Sequence, residues 1–208
     1  ALAVPASLVL GVWAGLAEGR WPDAVISLLT LSVVGLPEFV TGVMLIQILA
    51  HGLGWFPASS SIGPRSSFAE AFPYLILPAL TATFVLMAYV VRMTRAEVVT
   101  QLNRPYVRTA VLKGLPWSTV VFRHLLRNAL LPTVTILAVS VGWLIGGLIV
   151  IENVFNYPGL GKLLLSAVDN RDFPLIQAIT LVIVFGVVLA NFVADLLYAA
   201  LNPRIRYD

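Results

Sequence analysis

The fold is decided by residues 92–127, RMTRAEVVTQLNRPYVRTAVLKGLPWSTVVFRHLLR, a charged stretch that separates two uncharged apolar runs at 71–91 and 129–151. Each run has the roughly 20 residues that a helix needs to cross the hydrocarbon core of a bilayer. The charged stretch holds seven of the chain's thirteen Lys and Arg but one acidic residue, Glu97. Because an excess of basic residues marks short loops on the cytoplasmic side, the stretch is predicted to be a cytoplasmic loop.

A short helix is predicted inside this loop at residues 106–113, YVRTAVLK, because Ala, Leu, Arg and Lys favour helix formation. Thr109 and Ala110 are small enough to let another protein approach closely. Gly114 stands where glycine commonly ends a helix, and Pro116 lies just beyond it. The pattern indicates a helix presented to the cytosol for docking.

A second helical pattern follows at residues 117–131. Arg123 and Arg127 are four residues apart and therefore share one face of this helix. The other side is apolar and is predicted to suit the membrane interface; it consists of Val120, Val121 and Leu125.

These residues resemble a known family. The runs RTAVLKG at 108–114 and RHLLRNALLP at 123–132 resemble the cytoplasmic "EAA" loop of ABC importer permeases, in the form used by the dipeptide, oligopeptide and nickel branch. The resemblance covers nearly the whole chain, since it continues through ENVFNYPGLGKLL at 152–164, DFPLIQA at 172–178 and NFVADLLYAALNPRIRY at 191–207.

The chain departs from the general loop pattern in two places. It has Arg108, Thr109 and Ala110 where the pattern has Glu-Ala-Ala, and the spacing from Gly114 to Pro132 is longer. Both departures look like features of the peptide branch, and they weaken any role that depends on the acidic residue of the general motif.

The resemblance implies an all-α, polytopic membrane protein with the type I ABC importer permease fold. The whole of 1–208 would form one transmembrane permease domain, with a cytoplasmic coupling loop at 92–128. The implied ATPase-docking residues all lie in or beside the predicted short helix, and they are Tyr106, Arg108, Thr109, Ala110, Lys113 and Gly114.

The implied function is that of the transmembrane subunit of an ATP-driven importer, forming the translocation path for peptides; nickel chelates and glutathione are alternative substrates. The implied partners are a homologous second permease subunit, cytosolic ABC ATPase subunits that carry ATP and magnesium, and an extracytoplasmic substrate-binding protein. That binding protein is expected to deliver its cargo to the loops at 52–70 and 152–172.

Composition, taken alone, also indicates a membrane protein. Hydrophobic residues make up 59% of the chain and charged residues 11%, whereas about 25% of a soluble protein is charged. No cysteine is present, so the chain has neither a disulfide nor a thiolate metal site. The net charge of +3 is explained by basic loops at a membrane face rather than by binding to nucleic acid.

Five membrane spans are predicted in all, and Pro37 is expected to kink the second. They lie at 1–17, 24–53, 71–91, 129–151 and 173–194. An earlier span is expected before Ala1, which would give six. Placing 18–23, 92–127 and 202–208 inside leaves only Arg65, Lys162 and Arg171 as outer basic residues. The C-terminus is therefore predicted to be cytosolic. The resemblance implies that the membrane is the cytoplasmic (inner) membrane of a bacterium or archaeon.

The chain is not predicted to be an enzyme. The run Gly159-Leu160-Gly161-Lys162 faintly resembles the end of a phosphate-binding loop, but the first glycine is missing at the required spacing and Leu163 stands where Ser or Thr must bind magnesium. ATP hydrolysis would therefore belong to a partner. No motif of a zinc protease or serine hydrolase occurs.

Glu38 is the candidate residue of the translocation path, because a carboxylate inside a span is costly in lipid and could contact a substrate amine. The alternative is that Glu38 faces another helix or pairs with a basic group of a second subunit. Asn191 and Asp195 are expected to anchor the last span to the basic loop. Gly142 and Gly146 form a GxxxG pattern suited to close helix packing.

A secondary transporter is the alternative of another class. Such a protein would carry charged coupling groups inside several spans, whereas Glu38 alone lies deep in a predicted span. Uptake with and without ATP would separate the two classes, since a secondary transporter follows an ion gradient.

Overall fold

The structure, a computed structural model, describes residues 3–63, 66–130, 133 and 147–201, and no strand occurs among them. The helices up to the basic segment are α1 (Ala3–Leu16), α2 (Trp21–Val34), α3 (Glu38–Leu45) with a π-helical continuation (Ile46–Gly52), and α4 (Phe68–Leu102). They are followed by α5 (Pro105–Leu112), α6 (Trp117–Thr119) with a π-helical continuation (Val120–Leu125) and helical residues 126–130, α7 (147–154), α8 (Leu160–Asp169) and α9 (Phe173–Leu201).

The chain divides into two compact units. The first comprises Ala1–Val34, Leu86–Ser140 and Asn191–Asp208, and the second comprises Gly35–Val85 and Val141–Ala190. Helices α4 and α9 each contribute residues to both units.

Two helices of the described residues are long and apolar enough to cross a membrane, namely α4 and the part of α9 from Phe173 to Val193. A third candidate consists of Trp21–Val34 and Glu38–Gly52 taken together, and α1 is a shorter apolar helix. The predicted span at 129–151 lies largely outside the described residues. The apolar helical class is confirmed, and the number of five spans stays a prediction.

Pro37 interrupts the second predicted span, as expected. Helix α2 ends at Val34 and α3 begins at Glu38, with Pro37 in an extended conformation (ψ 144°) before the first turn of α3. Since proline has no N–H and clashes with the preceding turn, the helix stops there and begins again.

Helix α4 extends into the predicted cytoplasmic loop. Helix α4 does not end at the first arginine, Arg92, but continues without a break to Leu102. The buried face of α4 continues from Val91 to Thr94 and Val98 of the extension, at helical spacing. Basic residues therefore mark where the predicted span ends, while the helix itself goes on.

A capping box begins α4. The Glu70 carboxylate accepts a hydrogen bond from the Ser67 N–H at 2.9 Å, and the Ser67 hydroxyl accepts one from the Glu70 N–H at 3.4 Å. Each side chain satisfies a backbone donor that the first turn leaves free. The predicted outer loop at 52–70 consequently ends at Ser67.

In the first unit, α1 packs against α4 through two glycines. A Cβ on Gly11 would lie 2.6 Å from the Thr94 Cβ, and one on Gly15 would lie 2.6 Å from the Val98 Cγ1. No larger residue fits at either position without displacing α4, so the two helices are in near-backbone contact.

In the second unit, Phe155 is the centre of the core. It is fully buried with Leu77 and Ile151. The Ser60 N–H donates to the Phe155 carbonyl at 2.7 Å, and the Ser60 hydroxyl donates to the Tyr74 carbonyl. These contacts fix the loop after Gly52 to the core.

Candidate functional site

The predicted docking helix exists as α5, Pro105–Leu112. Arg104 precedes it in an extended conformation (ψ 145°), and Pro105 is its first residue, where the absent N–H is not needed. The helix predicted at 106–113 is thereby confirmed to within one residue.

Gly114 ends α5, as predicted, and it does so in a left-handed conformation (φ +74°). The Gly114 N–H donates to the Val111 carbonyl at 2.9 Å, and the Leu115 N–H donates to the Ala110 carbonyl at 3.4 Å. This pair of bonds is a Schellman motif, which satisfies carbonyls that the last turn leaves free. The turn therefore depends on a conformation that glycine adopts without strain.

The underside of α5 packs on the protein itself. Val107 and Ala110 are buried against Val120, and the Tyr106 hydroxyl donates to the Gln101 side-chain oxygen at 2.8 Å. Of the predicted docking residues, Ala110 is therefore a packing residue and Tyr106 is half-buried. Both position the helix and leave little surface for a partner.

The structure corrects the prediction that the apolar side of residues 117–131 faces the membrane interface. Val120, Val121 and Leu125 are all buried inside the protein: Val120 lies under α5, and Leu125 packs with Val98 and Ala129. An amphipathic pattern requires an apolar neighbour, and here that neighbour is protein rather than lipid.

The outer surface of α5 carries the remaining predicted residues. Arg108, Thr109, Lys113 and Gly114 are exposed, and the Thr109 hydroxyl donates back to the Pro105 carbonyl at 3.0 Å. These four residues lie on the exposed surface of α5 and its turn, where a partner could reach them.

Exposed apolar groups beside this turn were not among the predicted docking residues. Leu112 is 78% exposed, and Trp117 is 53% exposed. Val111 and Leu115 are also exposed. Exposed apolar clusters mark interaction surfaces. The sequence could have indicated them, because apolar residues stand on both sides of the helix end at Gly114.

An ion pair joins the first turn of α2 to the extension of α4. The Arg95 Nε donates to the Asp23 Oδ1, and the Arg95 Nη2 donates to the Asp23 Oδ2 at 2.8 Å. The carboxylate also accepts the Gly19 N–H at 3.0 Å and the Ser27 hydroxyl at 3.1 Å. Asp23 is buried, whereas Arg95 is partly exposed.

These bonds hold the pKa of Asp23 below its ordinary value. The hydrogen bond from Arg95 is the largest cause, and the bonds from Gly19 and Ser27 add to it, together outweighing the burial that would raise the pKa. The pKa of Arg95 is raised by the same hydrogen bond. Asp23 and Arg95 are therefore both charged at neutral pH.

Glu38, the candidate path residue, is the first residue of α3 and lies against Gly147 of α7. A Cβ on Gly147 would collide with both carboxylate oxygens. One of those oxygens, Oε2, is buried and has no hydrogen-bond partner within the described parts of the chain. Glu38 thus faces another helix, as the alternative interpretation held, and its role in transport stays a prediction.

Other predicted residues are not tested. The side chain of Asp195 and the glycines Gly142 and Gly146 lie outside the described residues. Within the part that the structure does describe, no three His, Cys, Asp or Glu side chains form a group that could hold a metal ion.

A family model described as "Binding-protein-dependent transport system inner membrane component" matches residues 7–207. The chain belongs to this family. The suspected family resemblance is thereby confirmed, and with it the polytopic permease fold expected for such an inner membrane component.

Curated relatives of this inner membrane component include the "Glutathione transport system permease protein GsiC" of Salmonella typhi and of Salmonella choleraesuis (strain SC-B67). Each is 42% identical over 205 residues, which are 99% of this chain and 64% of the relative. The protein of the same name from Escherichia coli (strain K12) is 42% identical over 202 residues, 97% of this chain and 62% of the relative. The chain thus spans less than two thirds of the length of these relatives.

Proposed function

We propose that this chain is the transmembrane subunit of an ATP-driven importer for small peptides, with glutathione as the first substrate to test. The observation that carries the proposal is the family match over residues 7–207. The names of the relatives refer to glutathione transport, and glutathione is itself a short peptide. Nickel chelates remain the alternative cargo.

The docking surface for a cytosolic ATPase subunit is α5 with its Gly114 turn. Two features support this assignment. The turn carries exposed cations, Arg108 and Lys113, beside an exposed apolar cluster that includes Leu112 and Trp117. The helix is also fixed to the rest of the protein, because its residues Val107 and Ala110 are buried against Val120. A rigid surface with apolar anchors is what a docking site requires.

The other partners follow from the same proposal. A second permease subunit would complete the translocation path, to which Glu38 would contribute a carboxylate for the peptide amine. An extracytoplasmic binding protein would dock on the loops at 52–70 and 152–172. The orientation with a cytosolic C-terminus rests on the distribution of basic residues, and ATP with magnesium would be bound by the ATPase partners.

The test uses proteoliposomes that contain the full-length permease with its partner permease, ATPase subunits and binding protein. Uptake of radiolabelled glutathione and of a dipeptide is measured with and without ATP. Uptake that requires ATP supports the proposal. Uptake that follows an ion gradient without nucleotide contradicts it, and supports a secondary transporter.

The docking surface is tested with two substitutions of Gly114. A Cβ at this position would contact nothing within 4 Å, so the φ of +74° is the main constraint. Gly114→Val should abolish ATPase stimulation, because a β-branched residue disfavours this conformation. Gly114→Asn is the matched control and should retain it, because asparagine tolerates a positive φ. Normal stimulation of Gly114→Val would refute the assignment.

A further inference from the structure

The end of α4 and the docking helix α5 are joined so closely that they must move together. Only two residues separate Leu102 from Pro105. The Tyr106 hydroxyl bonds to Gln101 at 2.8 Å across this connection, and the N–H of Val107 bonds to the Arg104 carbonyl at 3.1 Å. A displacement of α5 therefore displaces the part of α4 that contains Arg95.

The contact between α1 and α4 is close and apolar. A Cβ on Gly11 or Gly15 would lie 2.6 Å from a side-chain atom of Thr94 or Val98. Side chains beside these glycines pack as well, since Ala14 is buried with Val91, and Leu16 packs against the cluster that contains Val98. Apolar packing is non-directional, so a polar contact can add a fixed orientation of α1 and α2 on α4.

The Asp23–Arg95 pair has the geometry to do so. A guanidinium that bonds a carboxylate through two nitrogens fixes both distance and orientation. The second pair of bonds, from Gly19 and Ser27, ties the same carboxylate to the α1–α2 turn and to the first turns of α2. Arg95 is thus connected to the backbone of the α1–α2 turn through the Asp23 carboxylate, whose side chain is itself fixed by these bonds.

We propose that the Asp23–Arg95 pair transmits the movement of α5 to the α1–α2 turn, which makes both residues positioning residues for transport. The inference rests on the proposed function, because it requires α5 to be moved by an ATPase. It adds that α1 and the start of α2 belong to the part of the chain that follows α5.

The first test compares Arg95→Lys and Asp23→Asn with Arg92→Lys, an exposed arginine one turn away on α4. Glutathione transported per ATP hydrolysed is measured in the reconstituted complex. Arg95→Lys and Asp23→Asn should keep ATPase binding and basal hydrolysis but lower this ratio about tenfold, while Arg92→Lys should not lower it. The double variant Asp23→Arg with Arg95→Asp should recover part of the loss. An unchanged ratio in Arg95→Lys would overturn the inference.

A second test covers the case in which these variants fail to fold. The chain has no cysteine, so spin labels can be placed at two exposed positions, Trp21→Cys and Thr100→Cys. In the otherwise native complex, the distance between the labels should be the same without nucleotide and with ATP trapped. A change in that distance would overturn the inference.

The two proposals fail in different ways. Absence of ATP-dependent uptake by the native complex refutes the proposed function. Native uptake with an unchanged transport ratio in Arg95→Lys, or with a label distance that changes on ATP trapping, refutes only the inference about the ion pair.

Discussion

The Glu152 carboxylate accepts a hydrogen bond from the Gly161 N–H at 2.7 Å, so a side chain of α7 closes the N-terminus of α8. The same oxygen accepts the Lys162 N–H at 3.1 Å. A carboxylate at this position satisfies free backbone donors and interacts favourably with the helix dipole. The run ENVFNYPGLGK at 152–162 thus contains both the capping carboxylate and the two backbone donors that it satisfies.

Gly161→Ala should destabilise the protein, because a Cβ at Gly161 would lie 2.6 Å from the Ile149 Cα. The obstacle is backbone, so α8 must move away, at a cost of about 1–3 kcal/mol for an overpacked contact. Gly186→Ala is the control, since a Cβ there meets nothing within 4 Å. The thermal midpoint of the detergent-solubilised protein should fall for the first variant only; equal midpoints would contradict this packing.

Ser60→Ala should also lower the thermal midpoint. The Ser60 hydroxyl donates to the Tyr74 carbonyl, which has no helical partner because residue 78, four positions on, is a proline. Losing the donor removes the hydrogen bond that joins this loop to α4, which costs about 0.5–1.5 kcal/mol. Ser32→Ala is the control, since Ser32 is exposed and bonds to Leu28 within its own helix. A drop of the same size in both variants would refute the special role of Ser60.

The contribution of Asp23 to stability should not change between about pH 5 and pH 8. Its folded pKa is lowered, so the stabilisation is complete above the unfolded pKa of about 3.9 and is lost only as the pH falls further. The midpoint difference between native protein and Asp23→Asn should therefore be constant at neutral pH and shrink below about pH 4. A difference that shrinks as the pH rises from 5 to 8 would contradict the ion pair.

Leu112→Ser should weaken binding of the ATPase subunits without destabilising the permease. Leu112 is 78% exposed, so its replacement removes almost no internal packing. A leucine buried on docking contributes about 1.5–3 kcal/mol, which predicts binding about tenfold weaker or worse. Ala96→Ser, on the exposed side of α4, is the control. Undiminished affinity in surface-capture measurements would exclude Leu112 from the interface.

The sequence predicted those features that depend on short-range chemistry. The end of α5 at Gly114 was predictable because a left-handed glycine followed by a proline is a local signal. The start of α9 at Phe173 was predictable in the same way, from the change between polar and apolar residues.

Features that depend on distant parts of the chain were not predictable. The charge pattern located the end of the predicted span at Arg92. Helix α4 nevertheless continues, because Thr94 and Val98 pack against the glycines of α1. The sequence showed an apolar side at Val120, but it could not show whether that side contacts protein or lipid. The bond between Asp23 and Arg95 joins residues 72 positions apart, and no local pattern links them.

The length of α4 has a consequence for how a soluble enzyme could reach this protein. Its 35 residues rise about 52 Å, whereas the hydrocarbon layer is about 30 Å thick. In the proposed orientation the surplus extends beyond the hydrocarbon layer on the cytoplasmic side. A soluble ATPase subunit can then bind the end of the permease in the aqueous phase, without entering the hydrocarbon core of the bilayer.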